Sequence, residues 1–216
     1  REPRIRVAGV AGPGEPLDNP ETYETFRLLH RRFPALTLCV STNGLLLPDR
    51  VEALTDCGVR TLTITINAVH PGPAAALYSS VRWRGTVLPP EEGVPLLLSR
   101  QREGLERAVQ AGFTVKVNTV LVPGVNQDEI PSIAALAGAA GAALMNITPL
   151  IPCGLLDGRA PPTPAQLHHA RRLAGAHLPQ FTHCRQCRAD ACGVPGLEAK
   201  EAPSGSHPVL NRSRTL

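Results

Sequence analysis

The chain has 216 residues, enough for one hydrophobic core, and its 43% hydrophobic and 19% charged residues are typical of a globular protein. A net charge of +4 and 3% aromatic residues exclude the cationic stripe and stacking rings of a nucleic-acid-binding protein. No apolar run reaches the roughly 18 residues that cross a bilayer, and the first residues do not form a signal peptide. We therefore expect a cytoplasmic protein that binds neither nucleic acid nor membrane.

Predicted strands alternate with predicted helices along the chain. Short β-branched runs predict strands over residues 5–10, 36–40, 61–66, 115–122 and 142–147. Helical spacing, N-cap residues and first-turn prolines predict helices over residues 20–33, 48–57, 94–111, 128–136 and 163–176. Crossover helices between strands build a parallel sheet, which can be a barrel or a doubly wound sheet.

Polar residues follow the ends of most predicted strands. In a (β/α) barrel this edge of the sheet holds the active site, so the pattern favours an incomplete TIM-like barrel with at least one further strand in front of residue 5. The candidate binding residues at this edge are Gly12, Gly14, Glu15, Ser41, Thr42, Asn43, Asn67 and Asn118.

The glycine-rich loop after the first strand is not a dinucleotide fingerprint. Leu17 stands where the third glycine of GxGxxG belongs, which excludes a Rossmann site. Gly12 and Gly14 can let the backbone approach a ligand, and Glu15 can accept a hydrogen bond from an ammonium or hydroxyl group. A tight strand-to-helix turn is the alternative interpretation.

The asparagines and hydroxyl residues form the second part of the pattern. Ser41, Thr42 and Asn43 are ordinary turn residues when taken alone. Asn67 and Asn118 end two further strands at the same edge, so together they offer uncharged donors and acceptors suited to a ribose and an amino acid. Each asparagine can instead cap the core.

Six cysteines in a chain of cytosolic type indicate metal, cluster or redox chemistry before disulfides. Cys184 and Cys187 form a CxxC pair that can hold an iron–sulfur cluster, form part of a zinc site with Cys192 or His183, act as a redox pair or be incidental. Cys39 within a strand and Cys57 on a helix read as buried apolar residues.

Several segments resemble, in this order, the NifB family of radical S-adenosylmethionine (SAM) proteins. They are residues 10–17 (VAGPGEPL), 24–27 (ETFR), 38–45 (LCVSTNGL), 63–67 (TITIN), 116–118 (KVN), 122–126 (VPGVN), 146–150 (NITPL) and 183–191 (HCRQCRADA). The resemblance extends over residues 5–197. It implies an α/β fold, a partial (β/α)6 TIM-like radical SAM barrel that lacks its first strand and cluster loop here.

The resemblance also implies a function in nitrogenase iron-molybdenum cofactor biosynthesis. Enzymes of this family cleave SAM reductively, take a carbide from its methyl group and fuse two [4Fe-4S] clusters into an eight-iron precursor. The implied cofactors are SAM and [4Fe-4S] clusters, and the implied partners are cluster donor and cofactor carrier proteins. The binding residues named above would line the SAM pocket, while Cys39 would hold one precursor cluster and Cys184 with Cys187 the other.

One departure from the family is that the sequence contains no CxxxCxxC, the motif that holds the SAM-cleaving cluster. We therefore expect a fragment that is inactive by itself, with the barrel over residues 1–178, the CxxC segment over 179–197 and a disordered tail over 198–216. A non-catalytic scaffold that holds a cluster or zinc through the CxxC pair is the alternative. The sequence assigns no role to Cys153 or Cys192.

Overall fold

The computed structural model describes residues 5–12 and 14–181. Its strands are β1 (Val7–Val10), β2 (Thr37–Thr42), β3 (Val59–Thr65), β4 (Val81–Trp83), β5 (Thr86–Leu88), β6 (Thr114–Leu121) and β7 (Leu144–Pro149). Its helices are α1 (Pro20–Arg32), α2 (Val51–Asp56), α3 (Pro71–Ala75), α4 (Pro90–Gln110), α5 (Ile130–Ala139) and α6 (Pro164–Gly175).

The main sheet is parallel and its strand order is β1-β2-β3-β6-β7. Every new strand is added to the same side of the sheet, whereas a doubly wound sheet reverses direction at a switch point. The strand order therefore supports the barrel and not the doubly wound alternative. Beyond α6, Gln180 pairs with Met145 in a parallel bridge, which extends the sheet past β7.

One face of the sheet is apolar and packs against the helices; we call it the outer face. In-register rows such as Val40, Leu62 and Val115 are 0–1% exposed and contact helix residues such as Phe26 and Leu105. Burial of these apolar side chains is the main stabilising contribution to the fold.

The opposite face, the inner face, is polar. Its side chains alternate with those of the outer face along each strand. Pairing in register places Cys39 beside Thr61, Ser41 beside Thr63 and Thr63 beside Lys116. The next row continues from Thr65 through Asn118 to Asn146. The inner face thus presents hydroxyls, amides, one thiol and one ammonium group.

The structure confirms the α/β class and all five predicted parallel strands, and it adds elements that the sequence pattern did not predict. Helix α4 begins at Pro90, four residues before the predicted start, because a proline fits the first helical turn. The region around Trp83 is an antiparallel hairpin, with Arg84 (φ 48°) and Gly85 (φ 84°) in its turn. No helix among the described residues is long and apolar enough to span a membrane.

Candidate functional site

The loops after the carboxyl ends of the strands surround a cavity of about 880 Å³. Among the predicted binding residues, Glu15, Asn43 and Asn67 line this first cavity. Tyr78 and Trp83 contribute aromatic surface to the same walls. A cavity of this size, with apolar walls and a few convergent polar groups, is typical of a small-molecule site.

Glu15 joins the loop after β1 to the loop after β2. Its Oε1 accepts hydrogen bonds from the Thr42 hydroxyl at 2.7 Å and from the Leu17 N–H at 3.1 Å. Its Oε2 accepts from the Asn43 N–H at 2.8 Å. A carboxylate has about four acceptor positions, so Glu15 keeps capacity for one donor from a ligand.

The turn after β2 is fixed by its own side chains. The Thr42 hydroxyl accepts from the Gly44 N–H at 3.0 Å, and Asn43 Oδ1 accepts from the Leu45 N–H at 2.9 Å. Gly44 has a φ of 83°, and a Cβ atom there would lie 3.0 Å from the Gln101 side chain. Both conditions favour glycine, so the Asn43-Gly44 pair forms a turn, and Asn43 also lines the cavity.

Gln101 of α4 holds this turn against the neighbouring strand. Its side chain donates hydrogen bonds to the Asn43 carbonyl at 2.8 Å and to the Thr65 carbonyl at 3.0 Å. Gln101 is only 2% exposed, so these bonds are made away from bulk water. The geometry of Asn43 therefore depends on a helix residue 58 positions further along the chain.

Asn67 follows β3 and lies between two protein partners. Its Oδ1 accepts from the Val120 N–H at 2.9 Å, and its Nδ2 donates to the Tyr78 hydroxyl at 3.1 Å. Asn67 faces both the first cavity and a second one, described below. These two bonds fix the direction in which its amide can meet a ligand.

The loop that carries Asn67 is held by the loop after β6. Asn126, which is fully buried, donates to the Asn67 carbonyl at 2.8 Å. Glu129 Oε2 accepts from the N–H groups of Val69 and His70, both at 2.9 Å, and its Oε1 lies 2.7 Å from His70 Nδ1. We call Asn126 and Glu129 the loop clamp.

Two ionisable groups near the cavity have shifted pKa values. Burial raises the pKa of the Glu129 carboxyl, but the hydrogen bonds from Val69 and His70 outweigh burial, and the net pKa is lowered. Burial raises the pKa of Tyr78, although its hydrogen bond with Asn67 acts in the opposite direction. Glu129 is therefore an anion and Tyr78 a neutral phenol at neutral pH.

A second cavity of about 600 Å³ lies beside the first, and Asn67 and Tyr78 belong to both. Asn118 lines this second cavity. Asn146, in register on the next strand, donates from Nδ2 to Asn118 Oδ1 at 2.9 Å. This bond leaves the Asn118 Nδ2 group available as a donor. Asn146 Oδ1 is buried, and none of the described residues donates a hydrogen bond to it.

The remaining predicted residues lie elsewhere. Gly12, Gly14, Ser41 and Thr42 line neither of these two cavities. Cys39 lies on the inner face. Cys184 and Cys187 lie outside the described residues.

Cys57 has the structural role that its helical position predicts. It is fully buried, and burial raises the pKa of its thiol. A thiol in this environment stays protonated and packs as an apolar residue.

The described residues fit SAM and do not fit the cluster that cleaves it. SAM carries an ammonium group, a carboxylate, a ribose and an adenine ring, and the first cavity offers a carboxylate, amides, arginines and aromatic rings. Asn118 adds an amide donor to the second cavity, because Asn146 already satisfies its Oδ1. In contrast, the described residues contain no group of three or more His, Cys, Asp or Glu side chains able to hold a metal.

Sequence patterns did not identify several residues that shape the site. Gln101, Tyr78 and Glu129 act through partners 11 to 60 residues away, so no local spacing marks them. Asn126 belongs to the VPGVN segment that carries the family resemblance, and Asn146 ends a run of apolar residues. Two signals were available for Asn146: it opens the segment 146–150 that carries the family resemblance, and it is a polar residue at the end of an apolar run.

The sequence and the fold were compared with known proteins. The radical SAM superfamily matches residues 10–137. FeMo cofactor biosynthesis proteins NifB from Klebsiella pneumoniae and Azotobacter vinelandii are each 40% identical, over 99% and 90% of this chain. NifB from Methanocaldococcus infernus is 39% identical over 89% of it. The chain spans 49%, 40% and 63% of the length of these three relatives.

Solved structures support the fold assignment. Streptococcus suis SuiB bound to S-adenosylmethionine matches with a TM-score of 0.58 and 12% identity, over 85% of this chain and 40% of SuiB. A radical SAM methyltransferase from Sphaerobacter thermophilus matches with a TM-score of 0.56 and 20% identity, over 80% of this chain and 49% of the methyltransferase. At these identities the likeness concerns the fold alone.

Proposed function

The chain belongs to the radical SAM superfamily, and most of its sequence is similar to NifB. We propose that it is the SAM-binding part of a protein of nitrogenase FeMo cofactor biosynthesis. The single observation that supports this proposal best is the first cavity, because the loops that carry the family resemblance surround it at the carboxyl edge of the sheet.

In this proposal SAM lies across the two cavities. Glu15 accepts a hydrogen bond from the ammonium group, and Asn43 and Asn67 bind the ribose and the amino-acid part. Asn118 donates from Nδ2, in the direction that Asn146 sets. Gly12, Gly14, Ser41 and Thr42 line neither cavity, and in this proposal they belong to the SAM site as parts of the strand ends and loops beside it, with Thr42 acting through Glu15.

Bound SAM supplies the methyl group and the radical chemistry of the superfamily. The described residues of the chain bind and orient it, and the loop clamp keeps Asn67 in place while the ligand enters. A group held by several fixed hydrogen bonds loses little entropy on binding, so a preformed pocket favours a single reactive orientation. The chain contains no CxxxCxxC, and the reductive cleavage step is therefore not assigned to any of its residues.

The substrates in this proposal are two [4Fe-4S] clusters. Cys39 binds one, Cys184 and Cys187 bind the other, and the whole enzyme, of the SAM-cleaving lyase type, fuses them around a carbide into an eight-iron precursor. Cluster donor and cofactor carrier proteins of nitrogenase assembly are its partners. We place this activity in the cytoplasm, where thiols remain reduced.

The cluster part of the proposal is tested by the iron, acid-labile sulfide and zinc content after anaerobic reconstitution. We expect iron and sulfide near one four-iron cluster per chain, and we expect a Cys184→Ala/Cys187→Ala double variant to lose them. The matched control is Cys57→Ala, which removes a buried thiol. Tightly bound zinc without iron, or uptake unaffected by the double substitution, would contradict a cluster site.

The SAM part is tested by isothermal titration calorimetry. Asn118→Ala removes a donor from the second cavity, and we expect about tenfold weaker SAM binding, since one hydrogen bond to a charged or polar ligand has this magnitude. Gln110→Ala, at an exposed position on α4, is the control and should bind SAM like the unmodified chain. Equal SAM affinities of Asn118→Ala and Gln110→Ala would show that Asn118 does not bind SAM.

A non-catalytic scaffold is the second candidate function. It is favoured by the combination of a CxxC pair with the absence of CxxxCxxC in the sequence. A scaffold would take up a cluster through Cys184 and Cys187 without binding SAM. Cluster uptake together with undetectable SAM binding in the titration would therefore support this candidate over the first.

A further inference from the structure

Tyr78 lies at the junction of the two cavities. It lines both of them, as does Asn67, whose amide is hydrogen-bonded to the Tyr78 hydroxyl. Tyr78 follows helix α3, and its backbone N–H donates to the Ala74 carbonyl at 3.0 Å. A ligand that occupies both cavities therefore passes close to the Tyr78 side chain.

The ring of Tyr78 is held in place by apolar packing. It contacts two clusters of buried side chains, one formed by Leu45, Val81 and Leu97 and the other by Ala68, Ala74 and Val94. A ring that is packed against two clusters cannot turn to find a new hydrogen-bond partner, and only its O–H bond can rotate. The position of the hydroxyl oxygen is thus set before a ligand arrives.

The Tyr78 hydroxyl has a donor that no described residue uses. Its oxygen accepts from Asn67 Nδ2 at 3.1 Å, and no described side chain or carbonyl accepts a hydrogen bond from its O–H. Burial raises the pKa of this phenol, so the proton is present at neutral pH. A partly buried donor without a protein acceptor is well placed to bond an acceptor atom of a ligand.

The chemistry of the two cavities determines which part of SAM lies at their junction. The first cavity contains the Glu15 carboxylate, which suits the ammonium group. The second is lined mainly by apolar side chains, which suit the flat adenine ring: Leu77, Val120, Val122, Leu150, Ile151 and Leu156. The ribose connects these two parts of SAM, so it lies between the cavities, beside Tyr78.

We propose that the Tyr78 hydroxyl donates a hydrogen bond to a ribose hydroxyl oxygen of SAM and so selects ligands that carry an intact ribose. This inference rests on the proposed function, because it takes SAM as the ligand. Asn67 occupies one acceptor position of the Tyr78 oxygen and thereby directs the O–H away from itself. A site that bonds a ligand hydroxyl rejects the analogue without it, because its own polar group is then left unpaired.

The test compares SAM with its 2′-deoxy and 3′-deoxy analogues by isothermal titration calorimetry of the full chain. We expect one analogue to bind the unmodified chain about tenfold more weakly than SAM, as for the loss of one hydrogen bond. Tyr78→Phe keeps the packed ring but removes the donor. It should bind SAM about tenfold more weakly and lose most of the preference for SAM over that analogue.

Tyr23→Phe is the matched control. It removes the hydroxyl of the second of the two tyrosines of the chain, which donates to the Leu17 carbonyl at 3.0 Å and lines neither cavity. Tyr23→Phe should keep the preference of the unmodified chain for SAM over the deoxy analogue.

A second measurement leaves the Tyr78 hydroxyl in place. Tyrosine labelled with carbon-13 at the ring carbon that carries the oxygen gives one signal for each of the two tyrosines, and Tyr78→Phe assigns them. Addition of SAM should shift the Tyr78 signal, and the weakly bound analogue should shift it less at saturation. The Tyr23 signal should move little with either ligand.

The possible results separate the inference from the proposed function. Equal affinities of the unmodified chain for SAM and both analogues would overturn the inference alone, and so would unchanged SAM affinity in Tyr78→Phe with an intact fold by circular dichroism. An equal loss for SAM and both analogues in this variant would also overturn it, since Tyr78 would then only position Asn67. Lost preference without a SAM-dependent shift of the Tyr78 signal would assign the ribose bond to Asn67 and overturn it too. If the unmodified chain bound no SAM, the SAM part of the proposed function would fail and this inference with it.

Discussion

The two cavities at the carboxyl edge of the sheet have walls of different construction. The first cavity is bordered by loops that buried Gln101 and the loop clamp hold in place. The second is closed on one side by the loop after β7, where Ile151 is 59% and Leu155 is 85% exposed. From Cys153 to Arg159, the backbone hydrogen bonds of this loop within the described chain join residues only three positions apart.

We call the loops that border the first cavity the first wall, and the loop after β7 the second wall. Their different construction indicates different roles in ligand binding. Long-range hydrogen bonds from buried side chains make the first wall rigid before a ligand arrives. A wall with local turns and exposed apolar side chains opens at low free-energy cost. We therefore expect substitutions in the first wall to change both stability and SAM binding, and substitutions in the second to change stability little.

Removal of the Glu129 carboxylate should have the largest effect. Glu129→Ala leaves the N–H groups of Val69 and His70 without their acceptor, and we expect a loss of about 3 kcal/mol in the free energy of unfolding. The loop that carries Asn67 is released, so SAM affinity should fall as well. Urea unfolding and calorimetry measure the two effects.

Two control variants sharpen this prediction. Glu129→Gln keeps an acceptor oxygen and should restore part of the stability. Glu106→Ala removes an exposed carboxylate paired with Arg102 on α4 and should change the free energy of unfolding by less than about 0.5 kcal/mol. An equal loss in Glu129→Ala and Glu106→Ala would show that the loop clamp contributes nothing specific.

Gln101→Leu should have the second largest effect. The variant keeps a similar volume but leaves the carbonyls of Asn43 and Thr65 without this donor, and we expect a loss of about 2 kcal/mol. Because Asn43 belongs to the first wall, SAM affinity should fall with stability. Gln110→Leu on the same helix is the matched control. Unchanged SAM affinity in Gln101→Leu would contradict a preformed first wall.

The contribution of Glu129 should also depend on pH. Its pKa in the folded chain lies below the ordinary value of 4.5. Its stabilising contribution is therefore fully present above about pH 4.5 and is lost as the pH falls through the lowered folded-state pKa. The difference in unfolding free energy between the unmodified chain and Glu129→Gln should narrow over this range. A constant difference from pH 7 to pH 3 would refute the assignment.

The sequence was sufficient to predict the sheet but not the contacts that hold its loops. Strands such as β6 are recognisable because their sequence (TVKVNTVL) is rich in β-branched residues, and in the fold the buried residues of β6 alternate with exposed or partly buried ones. The hairpin around Trp83 escaped prediction because three-residue strands carry no usable period. The predicted start of helix α4 is four residues too late, because the pair Pro89-Pro90 is typical of a chain break. In the structure Pro90 is the first residue of the helix.

For the site, sequence order identified the correct edge of the sheet but only part of the wall. Glu15, Asn43 and Asn67 follow strand ends, which meet at one edge in any parallel sheet, so their convergence could be predicted. In the sequence, Gln101 and Glu129 look like ordinary polar residues of two predicted helices. Their importance arises from partners about sixty positions away, and only the folded chain brings these together.

The smallest effect is expected in the wall after β7. Leu155→Ser removes an apolar side chain that is 85% exposed, so little burial is lost, and we expect the free energy of unfolding to change by less than about 0.5 kcal/mol. Leu121→Ser, at a residue that is 1% exposed, is the contrasting variant and should lose several times more stability. If Leu155→Ser were strongly destabilising, the loop would be packed against part of the chain, and the second wall would be as firmly held as the first. A stable Leu155→Ser variant with altered SAM affinity would instead identify this loop as a movable wall that closes on the ligand.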